Sequence, residues 1–306
     1  MRSKATEKEV EFPHVREQLI DQTCDALDER LVSAVKAALK KTLAKGALDV
    51  VESKQPMDQH PVHKLFEDSR GVCPYPLGVV KVPAQIQGTS FFPGGTGLWW
   101  DGAQVIPALP VGKVMVLGHD FHSESGYEWA CAHQEENLNA TTWLHLRQLL
   151  KRVPIRLDEC FFTNIYMGLR EGTATTGRFP GASDSEFVGR CRKFFLRQVA
   201  MQQPRLILAL GAYVPQFLAP LSPQLAAWTL PSSFPKRDKD KTSIREEVIF
   251  DGVDVASCVI ASIVHPCMRN SNVHRRRWHS RDLHGKEAEL ELVRHAVNLA
   301  GMKGAA

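Results

Sequence analysis

Residues 113–122 read KVMVLGHDFH. The run is short, apolar without period-two alternation, and closed by Gly118, with His119, Asp120, Phe121 and His122 directly after it. That pattern predicts a strand buried on both faces and ending at a polar turn. Three further runs share it: ECFFTNIY (159–166), PRLILALG (204–211) and VASCVIASIVHP (255–266). Between them, ENLNATTWLHLRQLLK (136–151) predicts a helix with an Asn or Thr cap. DSEFVGRCRKFFLRQVAMQ (184–202) predicts an amphipathic helix capped by Asp184 or Ser183. A short helix is expected after Gly211, running through Leu218, and a C-terminal helix over 284–300. Strands alternating with helices imply a three-layer α/β/α fold around a mostly parallel, four-stranded sheet.

In such sheets the functional groups collect past the carboxyl ends of the strands. This draws attention to His119 and Asp120, then Asn164, Gly211 and His265.

The rest of the chain is read outward from this core. Apolar residues at three- and four-residue steps from Val15 to Leu48 predict a helical N-terminal extension over 1–60, leaving 61–306 as the main domain. Residues 56–110 are rich in Pro and Gly and predict loops and short strands. FFPGGTG (91–97) lacks the Gly-Lys-Ser/Thr of a phosphate loop.

With 306 residues, 43% of them hydrophobic and 24% charged, the composition excludes a chain disordered or fibrous overall. The net charge of +4 says little until its distribution is known. No apolar run reaches the roughly 18 residues of a membrane span. The start, MRSKATEKEVEF, has no apolar stretch of the kind a secretory leader needs. Seven scattered cysteines with no CxxC predict free thiols in a reducing cytoplasm, with no iron–sulfur cluster. The spacing of His274, His279 and His284 fits no usual zinc pattern, so neither metal nor cofactor is expected. Nothing predicts a membrane or an obligate protein partner, and a monomer is the expectation.

The order of the strand-end residues is similar to that of the uracil-DNA glycosylase superfamily. Gly118-His119-Asp120 stands where that family has a Gly and an acid, Asn164 where it has a strand-end Asn, and His265-Pro266-Cys267 where it has a His-Pro-Ser turn. The resemblance spans roughly residues 111–282. It implies an enzyme that flips a base out of DNA, hydrolyses its N-glycosidic bond and leaves an abasic site, with DNA as the partner and base excision repair as the setting.

The chemistry accounts for the residue types. The bond breaks through an oxocarbenium-like sugar while the base departs as an anion. A carboxylate beside the sugar, Asp120, stabilises the positive charge and orients or deprotonates water. A donor at the leaving oxygen, His265, acts as in an oxyanion hole. The amide of Asn164 offers one donor and one acceptor to the edge of a flipped pyrimidine. His119, Phe121 and His122 are expected around the base. The resemblance also implies an aromatic stacking partner about a dozen residues after the acid, where Tyr127, Trp129 and His133 remain open alternatives.

HPCMRNSNVHRRRWHSRDLH (265–284) completes the pattern. Cys267, Met268, Arg269, Arg275, Arg276 and Arg277 are expected to contact DNA, with Met268 or Arg269 as the wedge that fills the gap left by the flipped base. PKRDKDK (235–241) is expected to be a loop that adds phosphate contacts or a plain surface loop.

The sequence departs from the best-known uracil enzymes in two places. Phe121-His122 replaces Pro-Tyr after the acid, and Cys267 replaces Ser. This widens the expected substrate from uracil to modified pyrimidines, including hypermodified cytosine in phage DNA and a defence role. Two other readings stand beside it. One is a catalytically silent DNA-binding relative. The other is an unrelated α/β hydrolase, disfavoured by the lack of GxSxG, P-loop and GxGxxG patterns.

Overall fold

The four apolar runs form strands because each is flanked by turn residues and buried throughout, so that backbone pairing and side-chain burial are satisfied together. In the computed structural model they are β1 (Val114–Gly118), β2 (Cys160–Asn164), β3 (Leu206–Leu210) and β5 (Cys258–Ile263). The structure describes residues 60–86, 94–95, 107–133 and 137–302. The chain divides into two units at Lys54 and Gln55, and every described residue belongs to the second. The expected N-terminal helices and the FFPGGTG segment lie outside the described residues.

The sheet has five strands rather than four. β4 (Ile244–Val248) adds to its edge, and the order is β2-β1-β3-β5-β4. The first four are mutually parallel, and β4 runs antiparallel to β5 with a register shift between Arg245 and Val248. Its sequence, IREEV, hides it. The charged residues and the irregularity that blunt an edge strand also erase the pattern by which a strand is recognised.

Successive residues of each strand enter two separate apolar cores. Met115, Leu117, Phe161, Ile207 and Ile260 pack with α1 (Pro61–Ser69) and α4 (Ser185–Gln202). Val114, Val116, Phe162, Leu208 and Ile263 pack with α3 (Thr141–Leu150) and α5 (Gly285–Leu299). Each such side chain contributes about 1.5–3 kcal/mol on burial, which fixes the strand register. The fold is thus mixed α/β with a mostly parallel five-stranded sheet.

The helices follow the sequence with small shifts. Asp184 caps α4, accepting from the Phe187 amide at 2.8 Å. α3 begins at Thr141 with Ala140 in the cap position, so neither the Asn nor the Thr expected to cap it does so. PKRDKDK is not a loop: Phe234–Lys239 is helical, with Arg237 and Asp238 buried. No helix among the described residues is long and apolar enough to cross a membrane.

Candidate active site at the carboxyl edge of the sheet

Two glycines prepare this edge. Gly118 ends β1 beside Asn164 of β2, and a β-carbon on Gly118 would collide with the Asn164 amide. Gly211 follows β3 with φ of +91°, a conformation other residues avoid, and its Cα faces His265, whose Cβ would lie 3.2 Å from an added methyl. The strand-end glycines are therefore the space in which Asn164 and His265 sit. Asn164 is buried, at the same level as Gly118 in the ladder.

Past Gly118 the chain enters the His119-Asp120 turn. Asp120 accepts from His119 Nδ1 at 2.5 Å, and from Arg170 through Nε at 2.6 Å and Nη2 at 3.1 Å. Burial pushes the carboxyl's pKa up, but the hydrogen bonds and charges of His119 and Arg170 outweigh it and hold the group below the usual carboxylate range. The ring of His119 lies edge-on to Tyr166, at 5.2 Å between centroids, and tilted against Tyr213, at 4.9 Å. Tyr213 is 47% exposed.

His265 follows β5 and is fixed from three sides. Glu289 of α5 accepts from the Val264 amide at 2.9 Å, and His145 of α3 meets the Pro266 carbonyl at 2.7 Å. Its own Nδ1 accepts from the Cys267 amide at 3.4 Å, with the Cys267 sulfur 2.9 Å away. An accepting Nδ1 leaves the ring proton on Nε2. Although the residue keeps some exposure, desolvation of its ring and the neighbouring His119 bring its pKa down to about 4 against the pull of Asp120. His265 is thus a neutral imidazole with a donor at Nε2.

A cavity of about 380 Å³ opens between the turn after β1 and the start of α3, with Phe121, His122, Trp129, Thr142 and Trp143 among its walls. Thr142, in the cavity wall, also bonds the Cys267 thiol of the β5 turn, but Asp120, Asn164 and His265 are not among the residues that line the cavity. His122 Nδ1 accepts from the Ser123 amide at 2.8 Å, and burial lowers its pKa. Among the three open aromatic alternatives, Trp129 is 47% exposed and lines the cavity. His133 stacks behind it at 4.0 Å. Tyr127 is a core residue: it is fully buried, packs on Phe121, and its hydroxyl donates to the Ala84 carbonyl, so it presents nothing to a base.

The arginine-rich segment divides. Cys267, Met268 and Arg275 are exposed. Arg277 is half-buried, its Nη1 donating to the His274 and Arg276 carbonyls at 2.9 and 2.8 Å. Arg269 and Arg276 do not face outward as expected. Arg269 is buried in an ion pair with Glu289, and Arg276 is fully buried with Nη2 3.1 Å from Asp238. The acids that draw them inward come from α5 and from the helical turn at Phe234–Lys239, positions far away in the chain.

Sequence reasoning missed Arg170, Tyr166 and Tyr213. Arg170 had one faint marker, a lone arginine six residues after the strand-end Asn164. Among the described residues no group of three or more His, Cys, Asp or Glu is placed to hold a metal ion. No family model matches the chain, and no curated protein matches it.

Proposed function

We propose that the chain is a monofunctional DNA glycosylase, a divergent member of the uracil-DNA glycosylase superfamily with the three-layer α/β/α arrangement that its two cores support. The observation that carries the reading is His265: a neutral imidazole with its proton on Nε2, at the same sheet edge as Asp120 and Asn164.

A nucleotide flipped from DNA enters the space beside the β1 turn, and the Asn164 amide reads the edge of its base. As the C–N bond breaks, its electron pair leaves with the base. The Nε2–H of His265 donates to the oxygen on which that charge gathers. Asp120 faces the cationic sugar as a fixed negative charge and orients the water that adds to the anomeric carbon. The products are the free base and an abasic site. Phe121 and Trp129 supply aromatic surface along the cavity.

Uracil or a modified pyrimidine is the proposed substrate, hypermodified cytosine of phage DNA included. The open cavity beside Phe121 and His122 supports the wider range, since those residues stand where the uracil enzymes have Pro-Tyr.

The test is base release from single- and double-stranded DNA carrying uracil, hypoxanthine, xanthine, 5-hydroxymethylcytosine or its glucosylated forms, read by alkaline cleavage at the abasic site. The control is Asp120→Asn, because alanine would leave the buried Arg170 unpaired and confuse stability with catalysis. Release from one substrate, abolished in the variant, supports the reading. Binding to DNA with no release from any substrate favours the silent relative.

A further inference from the structure

The Arg170 side chain is 4% exposed, and all five of its N–H bonds are used. Two go to the two oxygens of Asp120, Nε at 2.6 Å and Nη2 at 3.1 Å. Three go to consecutive backbone carbonyls: Thr176 at 3.0 Å, Gly177 at 2.8 Å and Arg178 at 3.1 Å. The guanidinium lies over the ring of Phe179, 5.5 Å from its centroid, and Phe179 stacks on Tyr166 at 4.6 Å. The Arg170 amide donates to the His122 carbonyl at 3.1 Å, so its backbone is also tied to the turn that carries Asp120. A planar fork met by two carboxylate oxygens permits one orientation of the carboxylate.

We propose that Arg170 is the positioning residue of this site: by holding both oxygens of Asp120 it makes that carboxylate a fixed anion that steadies a cationic sugar and orients water, and not a base that takes a proton. The inference rests on the glycosylase reading and deepens it. A carboxylate that already accepts three hydrogen bonds, from His119 and Arg170, is a poor proton acceptor. Water attack on an oxocarbenium-like sugar needs little base catalysis, and the proton released on addition passes to solvent.

The groups that face Asp120 are His119 and His122 on its own turn, Arg170 and Tyr166 from the segment after β2, and His265 and Cys267 from the turn after β5. Of these, Arg170 alone bridges both carboxylate oxygens in the described structure.

The experiment compares wild type with Arg170→Gln and Arg170→Lys. Single-turnover base release is followed from pH 4 to 9 on the substrate found in the panel, and the Asp120 carboxyl is titrated by carbon-13 NMR in the resting protein, its signal assigned with Asp120→Asn. Loss of the guanidinium is expected to raise the Asp120 titration by about one pH unit or more and to move the acid limb of the rate profile with it. At neutral pH, where the carboxyl stays ionised in every variant, the rate is expected to fall about tenfold or more because the anion is less well oriented. Should the glutamine variant not fold, the lysine variant, which keeps the charge but not the fork, is expected to leave the titration nearly in place while still lowering the rate. A merely structural arginine would lower the melting temperature of Arg170→Gln with its titration and acid limb unmoved, and that result overturns the proposal. If wild-type protein releases no base but the NMR titration still shifts in Arg170→Gln, the glycosylase reading fails and the Arg170–Asp120 coupling stands. Release by wild type with an unmoved titration in Arg170→Gln, or with an unchanged rate in Arg170→Lys, sinks the Arg170 inference alone.

Discussion

The imidazole of His265 stays neutral because of where it sits, and this has a consequence for stability. As pH falls below the ordinary histidine value of 6.5, the unfolded chain takes up a proton that the folded chain refuses until about pH 4. The sign is therefore a loss of stability on acidification between those two values and little further change from this residue below them. The size is roughly 1–3 kcal/mol after allowance for the partial exposure of the ring. His265→Asn keeps an acceptor for the Cys267 amide but cannot be protonated, so its melting temperature should decline less than that of wild type from pH 6.5 to 4. Equal slopes for the two proteins would contradict the assignment. Asp120 behaves in the opposite window: its contribution is intact above the ordinary carboxylate range and is lost only in stronger acid. On the proposed glycosylase function, Asp120→Asn should retain DNA affinity while base release falls about 10²–10⁴-fold, as gauged by binding and single-turnover assays side by side.

At the level of elements, the strand ends decide what the side chains can do. Gly118→Ala places a methyl where the Asn164 amide lies, in a part of the sheet with no room to yield. The expected cost is about 1–3 kcal/mol of stability, and the displaced amide should weaken substrate discrimination more than it weakens binding of undamaged DNA. Competition between substrate and normal duplex measures this. Asp184→Ala removes the cap of α4 and should cost about 1 kcal/mol with base release unchanged per folded molecule. These elements were legible beforehand, because buried parallel strands leave apolar runs and strand-end glycines, and a capping Asp precedes its helix directly. β4 was not, since IREEV on a sheet edge carries neither signature. Arg170 was not either: its meaning lies in Asp120, fifty positions earlier in the chain, and a sequence window sees only an arginine in a short strand.

On the scale of the whole molecule, charge is sorted between surface and interior in a way that a count of arginines conceals. Arg237 and Arg276 flank the ring of Phe234 at 5.6 and 5.0 Å, with Asp238 as the carboxylate beside them. Burial and the charge of Arg276 bring the Arg237 pKa down to about 10. Asp238→Ala would strand buried cations and should destabilise the protein by about 3–5 kcal/mol, seen as a large drop in the midpoint of urea unfolding. On the proposed function, DNA binding should divide the arginines along the same line. The slope of log K against log salt should fall by about one for Arg275→Ala, whereas Arg276→Met should leave the slope in place and lower stability instead. A smaller slope for Arg276→Met would mean that the segment rearranges on DNA.

The stretch 171–178 is solvent-exposed along its whole length, yet Arg170 grips it only by the carbonyls of Thr176, Gly177 and Arg178. A grip on backbone atoms is indifferent to the side chains that hang from them. Apart from Gly172 and Gly177, whose φ values of +73° and +87° demand glycine, and Arg178, whose Nη2 donates to the Ala182 carbonyl at 3.4 Å, this stretch is therefore free to vary in evolution or in a randomised library. New contacts can be drafted there while the anchor beneath stays as it is.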